Sequence, residues 1–251
     1  MIHKLLLFLT LATALSLPRK EFRPRIFNGE PASKGQFPWQ AALWIPTNTG
    51  LKFCGGSLIS DTWVLTSANC VGKAFFRIRV LLGTLESTGD DPDQVELHSR
   101  LWIIHENFNP WTYENDVAVV RLPEAVVFND YIQPIALMTE DVDEDSTVTV
   151  SGWGAISEDD VISSDLTYSN LTISTSCAGT DSTICAIPDG NSDSQNICLG
   201  DIGDALVLNA FTDPVQVGIA SSYGTTCNKG GSGIFTSTAF ERQWIKRVTD
   251  I

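Results

Sequence analysis

The chain has 251 residues, of which 43% are hydrophobic, and a formal charge of −14 at pH 7. This length suits one or two domains and is enough to bury a sizeable core. Because 30 acidic residues outnumber 16 basic ones, the surface repels phosphate backbones, and no nucleic-acid partner is expected. Solubility in a secretion explains the acidity, and an acidic docking face is the alternative.

The first 16 residues, MIHKLLLFLTLATALS, predict a secretory signal peptide. Lys4 precedes an apolar run from Leu5 to Leu15 that is too short to span a bilayer, and the small residues Ala14 and Ser16 mark a cleavage site after residue 16. No later segment approaches the ~20 apolar residues of a transmembrane helix. We therefore expect a secreted, extracellular protein without a membrane span, in which residues 17–25 form a short basic pro-segment.

Along the body of the chain, short apolar or alternating runs are separated by Gly, Pro, Asn and Asp. The runs are 41–45, 56–60, 63–68, 76–83, 116–122, 147–154, 205–208, 215–221 and 232–237. Such spacing predicts an all-β sandwich or barrel rather than a parallel α/β sheet. Only the C-terminal segment AFERQWIKRVTDI predicts a helix, with Phe240, Trp244, Ile245 and Val248 on one apolar stripe.

Six cysteines follow the signal segment: Cys54, Cys70, Cys177, Cys185, Cys198 and Cys227. An even number in an oxidising compartment predicts three disulfides rather than a metal site. No CxxC motif occurs, and only His98 and His105 remain after signal removal, so neither a metal nor a cofactor is expected. The acidic run at 90–96 is interpreted as a solvated turn, with a calcium loop as the alternative.

Seven motifs from Ile26 to the C-terminus resemble the trypsin-like (chymotrypsin-fold) serine proteases, in the order of that family. They are RIFNGEPA, CGGSLIS with WVLTSANC, NDVAVVRL, SGWG, CLGDIGDAL, SYG and SGIFT. The resemblance implies two antiparallel six-stranded β-barrels with a cleft between them and a C-terminal helix. Residues 26–251 are thus identified as one trypsin-like protease domain, degenerate at its catalytic positions.

The catalytic positions that the resemblance assigns are Asn69, Asp116 and Ile202. An amide at the histidine position cannot accept and return a proton near neutral pH, and a sec-butyl group at the serine position cannot attack a carbonyl. Asp116 matches the aspartate that orients the family's histidine. Loss of nucleophile or base costs on the order of 10⁶ in turnover in subtilisin, so the triad is expected to be inactive.

Other family features carry over residue by residue. The Arg25–Ile26 bond matches the activation cleavage site, and Asp201 matches the aspartate that pairs with the new N-terminal ammonium; the alternative is that both are relics. Asn196, Gly224 and Gly233 match the specificity pocket, which is either a neutral open cavity or a filled one. The resemblance pairs Cys54 with Cys70, Cys177 with Cys185, and Cys198 with Cys227. The Asn170-Leu-Thr sequon predicts a glycan.

These features together favour a secreted, catalytically inactive serine protease homologue that acts by binding proteins. It is expected to serve as a cofactor, decoy or scaffold in an extracellular proteolytic pathway, with a protease, zymogen or protease inhibitor as its partner. The alternative is an active trypsin-like serine endopeptidase with an unconventional site. Fold alone does not decide function, so this choice depends on the site and on related proteins.

Overall fold

The structure, a computed structural model, describes residues 29–88, 91–154, 162–177, 180–189, 197–198, 200–223 and 231–251. The predicted signal and pro-segments, the Arg25–Ile26 bond, Asn196, Gly224 and Cys227 lie outside these ranges. Among the described residues, no helix is long and apolar enough to cross a membrane.

Fifteen strands and two helices are formed by the described residues. In chain order they are β1 (Glu30–Pro31), β2 (Gln40–Thr47), β3 (Gly50–Leu58), β4 (Trp63–Thr66), α1 (Ala68–Val71), β5 (Ile78–Leu82), β6 (Val95–Ser99), β7 (Leu101–Ile104), β8 (Ala118–Arg121), β9 (Ala136–Leu137), β10 (Thr147–Gly152), β11 (Thr167–Ile173), β12 (Thr183–Pro188), β13 (Ala205–Leu208), β14 (Val215–Tyr223), β15 (Gly233–Ser237) and α2 (Thr238–Thr249).

The N-terminal sheet has the order β6-β5-β2-β3-β4-β8-β7, with antiparallel pairing throughout. Strands β6 and β7 are separated by Arg100 alone, yet β6 pairs with β5 and β7 pairs with β8. The two edges of the sheet are therefore joined by one continuous chain segment, which curls the sheet. Ala41, Leu43 and Ile45 alternate along β2 and are fully buried inside the curl.

The C-terminal sheet closes into a barrel. Its order is β1-β11-β10-β13-β14-β15-β12, and β11 also pairs with β12, so the six strands from β10 to β15 form a ring. Phe235 and Leu171 are fully buried within it. The predicted all-β, two-barrel architecture with a C-terminal helix is confirmed: one closed six-stranded barrel, one curled sheet and a short helix at the end.

Helix α2 begins one residue earlier than the predicted segment and buries a different face. Ser237 caps it, because its hydroxyl accepts a hydrogen bond from the Phe240 N–H at 3.2 Å. Trp244 and Ile245 are buried as predicted, but Phe240 is 52% exposed and Glu241 lies inside instead. The prediction for Phe240 was wrong because Glu241 shares a face with both Trp244 and Ile245, three and four positions later, whereas Phe240 is five positions from Ile245 and lies at the edge of that face.

Candidate active site

Helix α1 positions Asn69 and was not expected from the sequence. Its four residues follow Ser67, whose hydroxyl accepts a hydrogen bond from the Cys70 N–H at 3.1 Å. The TSAN segment continues an apolar strand pattern, so the pattern does not predict a helical turn. The one local indication of a helix start is Ser67, because serine is favoured at helix N-termini.

Asp116 lies directly against Asn69. Its carboxylate accepts hydrogen bonds from the Asn69 backbone N–H at 2.7 Å and from the Ser221 hydroxyl at 2.6 Å. Its main-chain oxygen accepts a further bond from the Thr236 hydroxyl at 3.2 Å. Burial raises the pKa of Asp116 to about 6, although both carboxylate hydrogen bonds oppose the shift. The pKa of this carboxyl therefore lies closer to neutral pH than that of an ordinary aspartate.

Ser221 was missed by the sequence analysis. It lies at the end of the apolar VQVGIAS run, and nothing in that local pattern indicates a contact with a distant aspartate. In strand β14 it is buried and reaches Asp116 from the C-terminal barrel. Asp116, just before β8, is thereby held by groups from both halves of the molecule.

Ile202 sits at the tip of a tight turn next to Cys70, which follows Asn69 in α1. Its carbonyl oxygen accepts a hydrogen bond from the Gly55 N–H at 2.9 Å and lies 3.3 Å from the Cys70 sulfur. The flanking Gly200 and Gly203 have φ values of 99° and 95°, a region that favours glycine. The Ile202 side chain is 6% exposed and belongs to the apolar cluster of the N-terminal sheet.

The structure therefore brings Asn69, Asp116 and Ile202 together, at the positions that the resemblance assigned. Neither an imidazole nor a hydroxyl is present at Asn69 or Ile202. His98, on β6, lies 3.2 Å from Glu96, and His105 stacks beside Trp244 of α2 with ring centroids 5.2 Å apart. Neither histidine belongs to this site.

Two buried carboxyls lie behind the turn. Asp201 accepts hydrogen bonds from the Gly154 N–H at 2.7 Å and the Cys198 N–H at 2.8 Å. Asp204 is fully buried and accepts one from the Gln40 side-chain amide. Burial, together with the charge of Asp201, raises the pKa of Asp204 well above its usual range.

A cavity of about 530 Å³ adjoins Asn69 on the side of the β2–β3 hairpin. Trp44 and Phe53 form one wall, with ring centroids 4.8 Å apart. Two lysines, Lys52 and Lys73, also line it. The Lys52 ammonium donates a hydrogen bond to the Asn69 carbonyl at 2.9 Å. Burial lowers the pKa of Lys52, Asp116 opposes this shift, and Lys73 adds to it.

The remaining predicted positions lie elsewhere. The disulfides Cys54–Cys70 and Cys177–Cys185 are formed, as predicted, and the first ties strand β3 to helix α1. Cys198 is buried, and its predicted partner Cys227 is outside the described residues.

Three further positions concern the pocket, the glycan and the acidic turn. Gly233 begins β15, while the other two pocket positions are outside the described residues. Asn170 lies within β11, where its side-chain oxygen accepts a hydrogen bond from the Thr149 hydroxyl at 2.8 Å, and its glycan stays a prediction. In the acidic turn, Asp91 forms an ion pair with Lys34 at 2.5 Å.

Comparison with known proteins places the chain among proteases. Residues 26–245 match the family described as Trypsin. Brachyurin of Leptuca pugilator is 34% identical over 233 residues, which cover 90% of this chain and 99% of that protein. Collagenase of Hypoderma lineatum is 35% identical over 240 residues, covering 90% and 88%. The solved structure of HL collagenase superposes with a TM-score of 0.77 at 33% identity, covering 90% of this chain and 99% of that one.

These comparisons correct the expectation of a non-catalytic binding protein that is not an enzyme. That expectation rested on two side chains, Asn69 and Ile202, and treated the histidine–serine pair as the only chemistry open to the site. The relatives are similar over most of the chain, and they include a collagenase and Trypsin I-P38 of Gallus gallus, at 35% and 30% identity. Nothing in them indicates a cofactor, decoy or scaffold. The chain belongs to the trypsin-like serine protease family.

Proposed function

We propose that this chain is a secreted endopeptidase of the trypsin-like family that cleaves polypeptides at the cleft containing Asn69, Asp116 and Ile202. The observation that carries the proposal is the similarity to proteolytic enzymes over 90% of the chain, with the fold retained. The predicted signal peptide and the absence of a long apolar helix among the described residues are consistent with secretion.

The site is unconventional because position 202 offers no hydroxyl, so no acyl-enzyme forms there. The step that remains is direct attack of water on the scissile carbonyl. In the proposed step, the water oxygen bonds to the carbonyl carbon while its proton passes to the Asp116 carboxylate. The same proton then moves to the amide nitrogen as the carbon–nitrogen bond breaks. A carboxyl with a pKa of about 6 suits this exchange near neutral pH.

Turnover should be low. In subtilisin, loss of the serine or the histidine costs on the order of 10⁶ in kcat, and binding with the oxyanion hole still supplies about 10³–10⁴ over the uncatalysed reaction. We expect this chain to work within that residual range. Asp116 is buried and accepts a hydrogen bond from the Asn69 backbone N–H; we expect the shorter side chain in Asn69→Ala to give water better access to this carboxylate and to raise the rate.

Activation is part of the proposal. Cleavage after Arg25 would free the Ile26 ammonium, and the buried Asp201 carboxylate is its predicted receiver. A buried carboxylate is stabilised by a cationic partner, and that pairing would further stabilise the turn that carries Ile202. The predicted partner class, a protease, zymogen or inhibitor in the same secretion, stays a prediction; the activating protease would belong to it.

The test is hydrolysis of a fluorogenic peptide library by the purified, Arg25-cleaved chain in the presence of a serine-directed phosphonate. The inhibitor silences any contaminating serine protease but has no hydroxyl to react with at Ile202. We expect slow, phosphonate-resistant cleavage that is lost in Asp116→Asn and increased in Asn69→Ala.

The restored variant Asn69→His/Ile202→Ser serves as the positive control for fold and substrate choice. The proposal is overturned if the restored variant cleaves the library while the natural chain shows no cleavage above buffer. It is equally overturned if the natural chain's activity is unchanged in Asp116→Asn.

A further inference from the structure

The cavity beside Asn69 is lined by two cations in a chain with an acidic surface. Lys52 and Lys73 come from different elements, since Lys52 lies in β3 and Lys73 follows α1. None of the described residues that line the cavity is acidic. Within the described part of the chain, no carboxylate oxygen lies within 4.0 Å of either ammonium. The buried Asp116 carboxylate acts on the charge of Lys52 from a distance, but no acidic side chain among the described residues lines the cavity itself.

Lys52 is held in place. Its ammonium has three N–H donors, and one of them bonds to the Asn69 carbonyl at 2.9 Å. The side chain is half-buried between the hairpin and α1, so the ammonium has lost part of its hydration. Lys73, by contrast, is exposed to solvent where it lines the cavity. One anchored and one solvent-exposed ammonium can together bind a single carboxylate.

The walls favour an amino-acid side chain rather than a bare ion. The Trp44 indole N–H donates to the Ser87 carbonyl at 2.7 Å, which fixes the ring against Phe53. Leu51 and Ile162 add apolar surface around the lysines. A ligand with a short methylene stem and an anionic tip fits this combination, because the stem contacts the rings while the tip reaches the ammonium groups.

We propose that this cavity is a specificity subsite that binds the carboxylate of a Glu or Asp side chain in the polypeptide substrate. The inference rests on the proposed function, because the bound polypeptide is taken to be the substrate of that reaction. The recognition of the carboxylate rests on Lys52 and Lys73. It makes this chain an endopeptidase that prefers acidic segments close to the bond it cleaves.

Binding, rather than turnover, is the test. A capped, C-terminally amidated hexapeptide with one Glu and its Gln counterpart would be titrated against the full chain at low ionic strength, with the Glu placed at each position in turn. At the favoured position we expect the Glu peptide to bind about tenfold tighter, the effect of one charge-assisted hydrogen bond. Added salt should reduce that ratio.

The ratio should fall toward one in Lys52→Met and in Lys73→Met. Lys246→Met, which removes an exposed lysine from α2, is the matched control and should leave it unchanged. If Lys52→Met fails to fold, Lys73→Met still tests the proposal, because Lys73 is exposed. Equal binding of the Glu and Gln peptides at every position overturns the proposal, and so does a ratio that survives both substitutions. If the Glu preference is present but no peptide is cleaved, the subsite stands and the proposed endopeptidase activity is what fails.

Discussion

The Ser221 hydroxyl donates a 2.6 Å hydrogen bond to the buried Asp116 carboxylate, which joins the closed barrel to the N-terminal half of the molecule. The opposite oxygen of the same carboxylate accepts the Asn69 backbone N–H at 2.7 Å. Asp116 is thus fully hydrogen-bonded although no imidazole faces it. Burial and these two hydrogen bonds together determine how the charge of Asp116 responds to pH, with burial as the larger effect.

The free energy of unfolding should decrease as pH rises from about 4 to about 6. Asp116 has a folded pKa of about 6 against the usual 3.8, so its stabilising contribution is complete below pH 3.8 and is lost as pH rises through 6. The shift corresponds to about 3 kcal/mol. Glu241, with a pKa raised to about 7 by burial and by Glu106, extends the same trend to neutral pH.

Urea unfolding at pH 4, 5, 6 and 7 measures this trend. Asp116→Asn keeps the shape of the side chain, and its amide can still bond to Ser221, so it should flatten the slope between pH 4 and 6. An unchanged slope in that variant would assign the pH dependence to other groups.

The cleavage rate should rise about tenfold per pH unit below pH 6 and level off above it, because only the ionised Asp116 accepts a proton from water. The measurement is the initial rate on one fluorogenic peptide from pH 4.5 to 8, with the phosphonate present throughout. A rate that falls as pH rises through 6 would mean that the protonated carboxyl is the active form.

Gly55→Ala should destabilise the fold by about 1–3 kcal/mol, or more if the site cannot relax. An added methyl group would overlap the carboxyl of Asp204, which is fully buried and held by Gln40. Gly72→Ala is the control, because its methyl would approach only the Ala68 carbonyl, at 3.1 Å, in helical backbone. Thermal unfolding of both variants measures the loss of stability. An equal decrease in the two would show that Asp204 does not fill the space beside Gly55.

Removing the Cys54–Cys70 disulfide should cost about 3 kcal/mol, since it closes a loop of 16 residues. The Cys177–Cys185 loop, with a separation of 8, should cost about 0.6 kcal/mol less on loop entropy alone. Double Cys→Ala variants are compared by urea unfolding.

The two disulfides differ more clearly in their location than in their expected contribution to the free energy of unfolding. Cys70 adjoins Asn69 in α1, so only loss of the first bridge should increase amide hydrogen exchange at Asn69. Greater exchange at Asn69 after loss of Cys177–Cys185 would contradict this assignment.

The sequence by itself predicted an all-β chain with disulfides, and its resemblance to the trypsin-like family implied the two barrels, the two observed cysteine pairings and the residues at the three catalytic positions. It did not reveal the partner of Asp116, since Ser221 lies 105 residues away in an apolar run. Nor did it place Lys52 and Lys73 in one cavity, or Asp204 against Gly55. These relationships arise where strands from different parts of the chain fold back on one another, and only the tertiary structure decides which buried polar groups then meet.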